Sequence, residues 1–138
     1  METAYENAKA RYHDYHHVVG EIGGETLRPG VHTFDGDVTI IDGDVTFQGT
    51  NTPNTDIFII QTTGSVKQAA STSVILQGAL AENIFWQVAG EVIVEAGAHM
   101  EGVLLVKTAV TFKTTSSLNG RILTQTAAVL QIAAITQP

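Results

Sequence analysis

Residues 92–94 (VIV), 110–112 (VTF) and 128–130 (AVL) are three versions of one alternating apolar segment, each eighteen residues after the one before. The same offset relates Gly102 to Gly120. A fixed period of this length with alternating apolar positions is typical of a β-solenoid, whose repeats stack as coils of parallel strands. The last third of the chain is therefore predicted to stack coil on coil.

Alternation within each repeat divides its side chains between the interior and the surface. Val92, Val110 and Ala128 share the parity that we expect to point inward, and Ile122 and Leu130 share it in the last coil. The opposite parity includes an apolar column that needs a cover, and its members are Ile59, Phe85, Val103, Leu105 and Leu123.

A second outward surface carries small or β-branched residues and little charge. Its two columns, read from one coil to the next, are Glu91/Ala109/Ala127 and Ile93/Thr111/Val129. Because neighbouring strands repeat these positions at a regular spacing, we expect a flat face that no other element covers.

Length and charge limit the class of protein. The chain has 138 residues, enough for one domain (residues 1–138) with a modest core. Its formal charge of -7 argues against nucleic acid or an anionic membrane surface as partner, since both bind clustered Lys and Arg. Cysteine is absent, which excludes disulfides and thiolate metal sites, and no apolar run approaches the roughly 18 residues of a membrane span.

The start of the chain has the apolar spacing of a helix. The stripe predicts a helix over residues 1–19 that covers the outward apolar column, followed by coils over residues 30–138. Its members, three or four residues apart, are Met1, Tyr5, Ala8, Tyr12, Tyr15 and Val19. His13, His16 and His17 lie near its end, and without an acidic third ligand we expect polar residues of the last helical turn rather than a metal site.

Two near copies follow the helix. Residues 34–40 (FDGDVTI) and 41–47 (IDGDVTF) each predict a tight Asp-Gly turn followed by an alternating strand. Calcium is a weaker interpretation of these turns, since the spacing of an EF-hand loop and its distal Glu are absent. Residues 57–76 predict a further coil with Val66 in register with Val92, and the eight extra residues fit a loop near 77–82. Gln61 then stacks on Gln87.

Four segments resemble a known family. Residues 23–31 (GGETLRPGV), 83–90 (NIFWQVAG), 107–111 (KTAVT) and 117–121 (SLNGR) are similar to the β-solenoid family of microbial ice-binding proteins, the fungal, snow-mould members most of all. The resemblance extends from Met1 to Pro138. It implies a right-handed β-helix of triangular section with one long helix along a side. It also implies a secreted antifreeze protein whose partner is the ice crystal surface, with no enzymatic activity, cofactor or metal.

The chain departs from this family at its start. Family members usually carry a further segment before the helix, whose strands cap the C-terminal coil, whereas this chain begins at the helix and shows no signal peptide. We therefore expect either a truncated form or a cap supplied by another chain. An uncapped end coil exposes strand edges and core side chains, which predicts a homo-oligomer through that end.

The flat face contains the predicted ice-binding residues. Residues 108–111 (TAVT) look like the Thr-Ala-X-Thr pattern of the family's ice-binding faces, and 126–129 (TAAV) match it in part. Ala109, Thr111, Ala127 and Val129 form the predicted centre, with Ile93, Thr108 and Thr126 beside it; Thr108 sits at a corner or points inward. Because Glu91 and Lys67 put charge on the same columns, we expect weak or moderate activity.

Three other functions remain open. A carbohydrate-binding or adhesion module would need exposed aromatic rings, and the sequence offers none that is obvious. An enzyme of the pectin lyase type would need convergent carboxylates, which only the turns with Asp35, Asp37, Asp42 and Asp44 approach. An ice-inactive structural solenoid that oligomerises through its uncapped end is the third.

Overall fold

Short parallel strands are the main regular elements of the computed structural model, which describes residues 2–10, 14–50, 52, 54–131 and 133–137. One α-helix, α1 (Glu2–Ala10), precedes the strands, and a 3-10 helix (Ala81–Asn83) lies between β8 and β9. The strands are β1 (Tyr15–His17), β2 (Thr26–Leu27), β3 (Gly30–Phe34), β4 (Val38–Ile40), β5 (Val45–Gln48), β6 (Phe58–Thr62), β7 (Val66–Gln68), β8 (Val74–Gln77), β9 (Ile84–Val88), β10 (Val92–Val94), β11 (His99–Val106), β12 (Ala109–Phe112), β13 (Ser117–Thr124), β14 (Ala127–Leu130) and β15 (Ala134–Thr136). Among the described residues no helix is long and apolar enough to cross a membrane.

The strands form three parallel sheets. Sheet A has the order β1-β3-β6-β9-β11-β13-β15, sheet B the order β14-β12-β10-β7-β4 and sheet C the order β2-β5-β8. From β3 to β8 the chain visits sheets A, B and C in turn, and then visits them again. Val92 pairs with Val110, and Val110 pairs with Ala128, so the predicted eighteen-residue register is confirmed. Val66 pairs with Val92, as the longer offset predicts.

Two long strands turn a corner at glycine. The start of β11 continues the stack of sheet C, since His99 bridges Ser73, while Val103 and the residues after it pair with β9 of sheet A. Gly102 lies at the junction with a φ of +116°, a backbone conformation that residues other than glycine rarely adopt. A Cβ on Gly120, one coil further, would lie 1.9 Å from the Gly102 carbonyl oxygen. The repeated glycine therefore marks a corner where two backbones touch.

The interior is a stack of apolar columns. Val38, Val66, Val92 and Val110 lie one above another, each with 0% exposure. Trp86 is equally buried, and its Nε1–H donates to the Glu101 carbonyl oxygen at 3.0 Å. Burial of these columns supplies the main favourable free energy of folding.

The last coil departs from the predicted interior. Ala128 continues the valine column and Leu130 lies in register with Phe112, but both are exposed, Leu130 by 47%. No described strand stacks on β14, so side chains of inward parity meet solvent there.

The predicted helix over residues 1–19 is wrong over residues 14–19. Tyr15–His17 form strand β1, which pairs with His32, Thr33 and Phe34 of β3. Pairing and ring stacking on β3 outweigh the helical spacing there, because tertiary contacts routinely override weak helix propensity. Val19 is 68% exposed instead of packing on the sheet. Met1, Tyr12 and His13 lie outside the described residues.

The first half of the helical stripe is confirmed. Tyr5 and Ala8 are buried against Ile59, Val103 and Leu105 of sheet A, with Phe85 and Leu123 partly buried at the edge of this cluster. Gln61 stacks with Gln87 as predicted, and its Nε2–H donates to the Ala8 carbonyl oxygen at 2.5 Å. This bond satisfies a helix-end carbonyl that has no partner within the helix.

The two Asp-Gly-Asp turns lie at two corners of one coil, between β3 and β4 and between β4 and β5, and hydrogen-bond to the next coil. In each, the second aspartate accepts a backbone hydrogen bond from the following coil: Asp37 from Ser65 N at 2.9 Å and Asp44 from Ser73 N at 2.8 Å. The described residues contain no cluster of three potential metal ligands. The hydrogen bonds of these turns therefore hold neighbouring coils together.

A histidine pair links β1 to β3. His32 is 2% exposed, and its Nε2–H donates to the Arg28 carbonyl oxygen at 2.7 Å, which leaves Nδ1 of the neutral ring as an acceptor. His17 Nε2 lies 2.8 Å from that Nδ1 and therefore carries the proton. Burial lowers the pKa of His32, against the Arg28 carbonyl, and burial likewise lowers the pKa of His17.

We expect these two histidines to make the fold sensitive to acid. Because their pKa values lie below the unfolded value of about 6.5, the unfolded chain binds more protons in mildly acidic solution. The free energy of unfolding should fall as the pH drops through and below about 6.5. Urea unfolding between pH 8 and pH 5 measures this slope. The slope should be shallower in His32→Gln, and equal slopes in both proteins would contradict the assignment.

The stacked interior predicts a sharp difference between neighbouring strands. Val110→Ala removes two methyl groups from a fully buried site and should cost about 2 kcal/mol of unfolding free energy. Val129→Ala makes the same change at an outward site that is 46% exposed, and should cost less than about 0.5 kcal/mol. Chemical denaturation of both variants measures the difference, and comparable losses would mean that the inward and outward parities are misassigned.

Candidate functional site

The outward side chains of sheet B form columns that run in register across all five strands. The central column is Thr39, Lys67, Ile93, Thr111 and Val129. Beside it, Ala109 pairs with Ala127. Neighbouring strands lie about 4.8 Å apart, so each column repeats a side-chain position at that spacing.

Within strands β10, β12 and β14 this face carries no charged side chain, and the ion pair of Lys113 Nζ with Glu95 Oε1, at 3.1 Å, lies just beyond the ends of β12 and β10. We call Ile93, Ala109, Thr111, Ala127 and Val129 the uncharged patch. Ile93, Ala109 and Thr111 are partly exposed, and Ala127 and Val129 are exposed. Within the described chain no hydrogen-bond partner is found for the Thr111 hydroxyl, which leaves it to water. The structure thus places these five residues of the predicted site on one face, and their role there stays a prediction.

Thr108 and Thr126 have a different position from the rest of the predicted site. Both lie at the corner between sheets A and B, just before β12 and β14. The Thr108 hydroxyl donates to the Gly90 carbonyl oxygen at 2.7 Å, and the Thr126 hydroxyl donates to the Thr108 carbonyl oxygen. Their hydroxyl protons therefore connect successive coils, which makes these two threonines structural residues beside the patch.

The opposite end of the face is charged. Lys67 Nζ lies 3.5 Å from Asp37 Oδ2, and Glu91 is exposed between this pair and the uncharged patch. The Ser65 N–H bonded to Asp37, together with Lys67, holds the pKa of Asp37 below its usual value, so this carboxylate is ionised at neutral pH. Glu91 and Lys67 thus lie where the sequence predicts, and Asp37 adds to them.

Thr39 is not available to a ligand as Thr111 is. Its hydroxyl donates to Glu21 Oε1 at 2.6 Å. Burial raises the pKa of Glu21, but the bonds from Thr39 and from the backbone N–H groups of Ile41, Asp42 and Gly23 outweigh it and lower that pKa. Glu21 and its hydrogen-bond donors therefore occupy the β4 end of the face.

Sequence reasoning missed the place of Asp37 and Thr39 on this face. The eighteen-residue period covers only the last coils, whereas Val38 pairs with Val66 at a longer offset. A signal was available in residues 38–40 (VTI), whose alternation matches the later strands of the sheet.

A polar cluster on the outward side of β11 and β13 was also missed. His99 Nδ1 lies 2.7 Å from Ser117 Oγ, and His99 Nε2 is hydrogen-bonded to Glu101 Oε2. Asn119 donates to the other oxygen of Glu101 at 2.9 Å. The N–H of Ser117 is already bonded to the Ala98 carbonyl oxygen at 2.9 Å, so it is not free to stabilise an oxyanion. The cluster is a side-chain ladder between coils.

Comparison with known proteins gives a consistent result. The ice-binding-like family model matches residues 1–136. An ice-binding protein of Colwellia sp is 45% identical over 141 residues, which cover 100% of this chain and 54% of that protein. Ice-binding protein K1-A of Typhula ishikariensis is 48% identical over 112 residues, which cover 79% of this chain and 44% of the relative.

Solved structures agree with these sequence matches. One match is an ice-binding protein from an Arctic yeast, solved to explain its antifreeze activity, with a TM-score of 0.93 at 38% sequence identity. The match covers 99% of this chain and 59% of the yeast protein's chain. The chain spans about half the length of the curated relatives it matches.

The two kinds of threonine should respond differently to loss of the hydroxyl. Thr108→Val removes the donor to Gly90 and should lower the unfolding free energy by about 1 kcal/mol, which is about 3 °C in melting temperature. Thr111→Val, an isosteric change at a site without a protein partner, should leave the melting temperature nearly unchanged. Calorimetry on both variants tests the assignment, and a larger loss for Thr111→Val would reverse it.

Proposed function

Because the chain belongs to the ice-binding-like family, we propose that it adsorbs to ice through the uncharged patch on the outer face of sheet B. The observation that supports this is the in-register column of Ile93, Thr111 and Val129 beside Ala109 and Ala127. The relatives named as ice-binding proteins are about twice as long as this chain, so the activity of a chain of this length is part of the proposal.

The patch can order water because it combines methyl groups with a single hydroxyl, that of Thr111, on a rigid support. Thr111 has a stiff χ1 torsion and a hydroxyl that faces solvent, so little side-chain entropy is lost on adsorption. The methyl groups of Ile93 and Val129 hold no water tightly. Water can therefore take up an ordered arrangement over the patch before it joins the crystal.

The charged end of the same face limits the activity. Asp37, Lys67 and Glu91 bind hydration water strongly and interrupt a lattice match. The adsorbing area is then restricted to strands β10, β12 and β14. We infer weak or moderate antifreeze activity from this restricted area.

We infer further that the three sheets are the sides of a right-handed β-helix of triangular section, with α1 along sheet A. The repeated passage of the chain from sheet A to B to C supports this arrangement, and nearly all parallel crossovers are right-handed.

A protein that acts on ice in its surroundings works outside the cell, so we infer secretion. Its fungal origin stays a prediction.

Thermal hysteresis and ice shaping test the proposed face. Thr111→Tyr places a bulky ring at the centre of the uncharged patch and should abolish most of the activity by holding the face away from the ice lattice. Thr46→Tyr makes the same change on the outward side of β5 in sheet C and is the matched control, which should retain activity. Absence of activity in the unmodified protein would refute the function, and equal loss in both variants would refute the face.

A further inference from the structure

The first strand of sheet A is attached more weakly than the strands that follow it. β1 comprises three residues, Tyr15–His17, and lies at the end of the sheet, so within the described chain it pairs with β3 alone. Tyr15 and His16 are exposed, and the next two residues, Val18 and Val19, are 93% and 68% exposed. Segments with few buried apolar contacts are the ones that open at low cost in free energy.

The chain is anchored again directly after this segment. The Gly20 carbonyl oxygen accepts a hydrogen bond from Thr39 N at 2.9 Å, and Ile22 N donates to the Thr39 carbonyl oxygen at 2.8 Å. Between them, the Glu21 carboxylate accepts from the Thr39 hydroxyl at 2.6 Å. We call residues 14–19 the strap. It ends at the first of these anchors, so it can leave β3 while the following residues stay on β4.

Aromatic and imidazole rings join the strap to β3. The His17 Nε2–H donates to His32 Nδ1 at 2.8 Å, and the His17 ring stacks on Phe34 with 4.4 Å between centroids. The Tyr15 ring stacks on His32 at 4.5 Å. His32 and Phe34 are 2% and 1% exposed. The strap is therefore the cover that keeps these two rings of β3 from water.

Polar bonds on either side of the histidine pair complete the attachment. Asp14 N donates to the Val31 carbonyl oxygen at 2.8 Å, and Val31 N donates to Asp14 Oδ2 at 2.9 Å. His16 Nε2 lies 2.8 Å from Asp35 Oδ2, and both side chains are exposed. A charged His16 strengthens the pair with Asp35 but disfavours charge on His17. Because an exposed ion pair contributes little free energy, it does not hold the strap by itself.

The histidine pair can take up one proton without breaking, but not two. A proton added at His17 Nδ1 leaves the Nε2–H donor and the His32 acceptor in place. When both rings are protonated, every ring nitrogen carries a hydrogen and no acceptor remains. Two positive rings are then held with 2.8 Å between the facing nitrogens, and like charges this close repel. Separation of the rings relieves both conflicts.

The groups around the pair do not remove this conflict. Burial has the largest effect and lowers the pKa of both His17 and His32. The charge of Glu25 raises the pKa of His17, and the Arg28 carbonyl oxygen and Asp14 raise the pKa of His32, but burial outweighs them in both rings. Protons therefore bind more tightly to these rings when the strap is open and the rings are in water.

We propose that the strap is an acid switch that takes up two protons: in mildly acidic solution residues 14–19 leave β3 while the rest of the stack stays folded. Opening returns His17 and His32 to water and exposes the Phe34 ring and the free edge of β3. The opening stays local because the strap pairs with β3 only, whereas the strands above it are paired on both sides. The acid sensitivity of the fold is thus first expressed at this end.

Amide hydrogen exchange, followed by NMR and corrected for the intrinsic exchange rate at each pH, tests the switch on the full chain. Between pH 8 and pH 5 we expect the protection of the Asp14 and Val31 N–H groups to be lost. Where opening takes up two protons, this protection falls about a hundredfold per pH unit. The N–H groups of Val66 and Lys113, which donate to the Glu91 and Val94 carbonyl oxygens, should keep theirs.

Two variants identify the histidines that act. His17→Gln keeps a side-chain N–H donor for His32 Nδ1 but cannot take up a proton, so the loss of protection should be no steeper than about tenfold per pH unit. His16→Gln removes the exposed histidine of the same strap and is the matched control, which should keep the steep loss. Protection of Val66 and Lys113 in each variant shows that the stack is folded.

Three results would overturn the proposal. The first is protection of Asp14 and Val31 that does not change between pH 8 and pH 5. The second is an equal and simultaneous loss at Val66 and Lys113, because the whole stack then opens and the strap has no separate transition. The third is the same pH dependence in His17→Gln as in the unmodified protein, which would exclude the histidine pair as its origin.

Discussion

The parallel hydrogen-bond ladder between coils is the constraint on which the rest of the structure depends. It holds Val66, Val92 and Val110 in one buried column and, by alternation, holds Lys67, Ile93 and Thr111 in one outward column. A slip of one residue would exchange the two sets, at the cost of every apolar contact inside. The regularity of the outer face is therefore maintained by the core, not by the residues of the face itself.

The fold was predictable where coils have equal length. Three consecutive repeats of eighteen residues define the stack of β10, β12 and β14 and the parity of their side chains without any coordinates. Earlier coils differ in length, and the position of Thr39 becomes visible only through the pairing of β4 with β7. A periodic pattern reveals register only where the period is constant.

Local patterns failed where the decisive partner is distant in sequence. The spacing of Tyr12, Tyr15 and Val19 is that of a helix, but Tyr15 stacks on the His32 ring at 4.5 Å between centroids, which fixes it in β1. Likewise Thr108 and Thr111 are the same residue type three positions apart. Only the neighbouring coil decides that Thr108 donates to the Gly90 carbonyl oxygen while Thr111 faces water.

The stacking makes the outer face regular and also leaves backbone groups at the end of the described stack. These two surfaces are separate because the side chains of the face and the backbone groups point in different directions. Side chains of a strand stand perpendicular to the sheet, whereas the backbone N–H and C=O groups lie in its plane along the stack. Val129 and Leu130 are adjacent and almost equally exposed, at 46% and 47%. Val129 projects from the outer face, while Leu130 belongs to the interior column that the stack leaves open. A substitution at Val129 therefore changes the outer face without changing the interior column, and a substitution at Leu130 does the reverse.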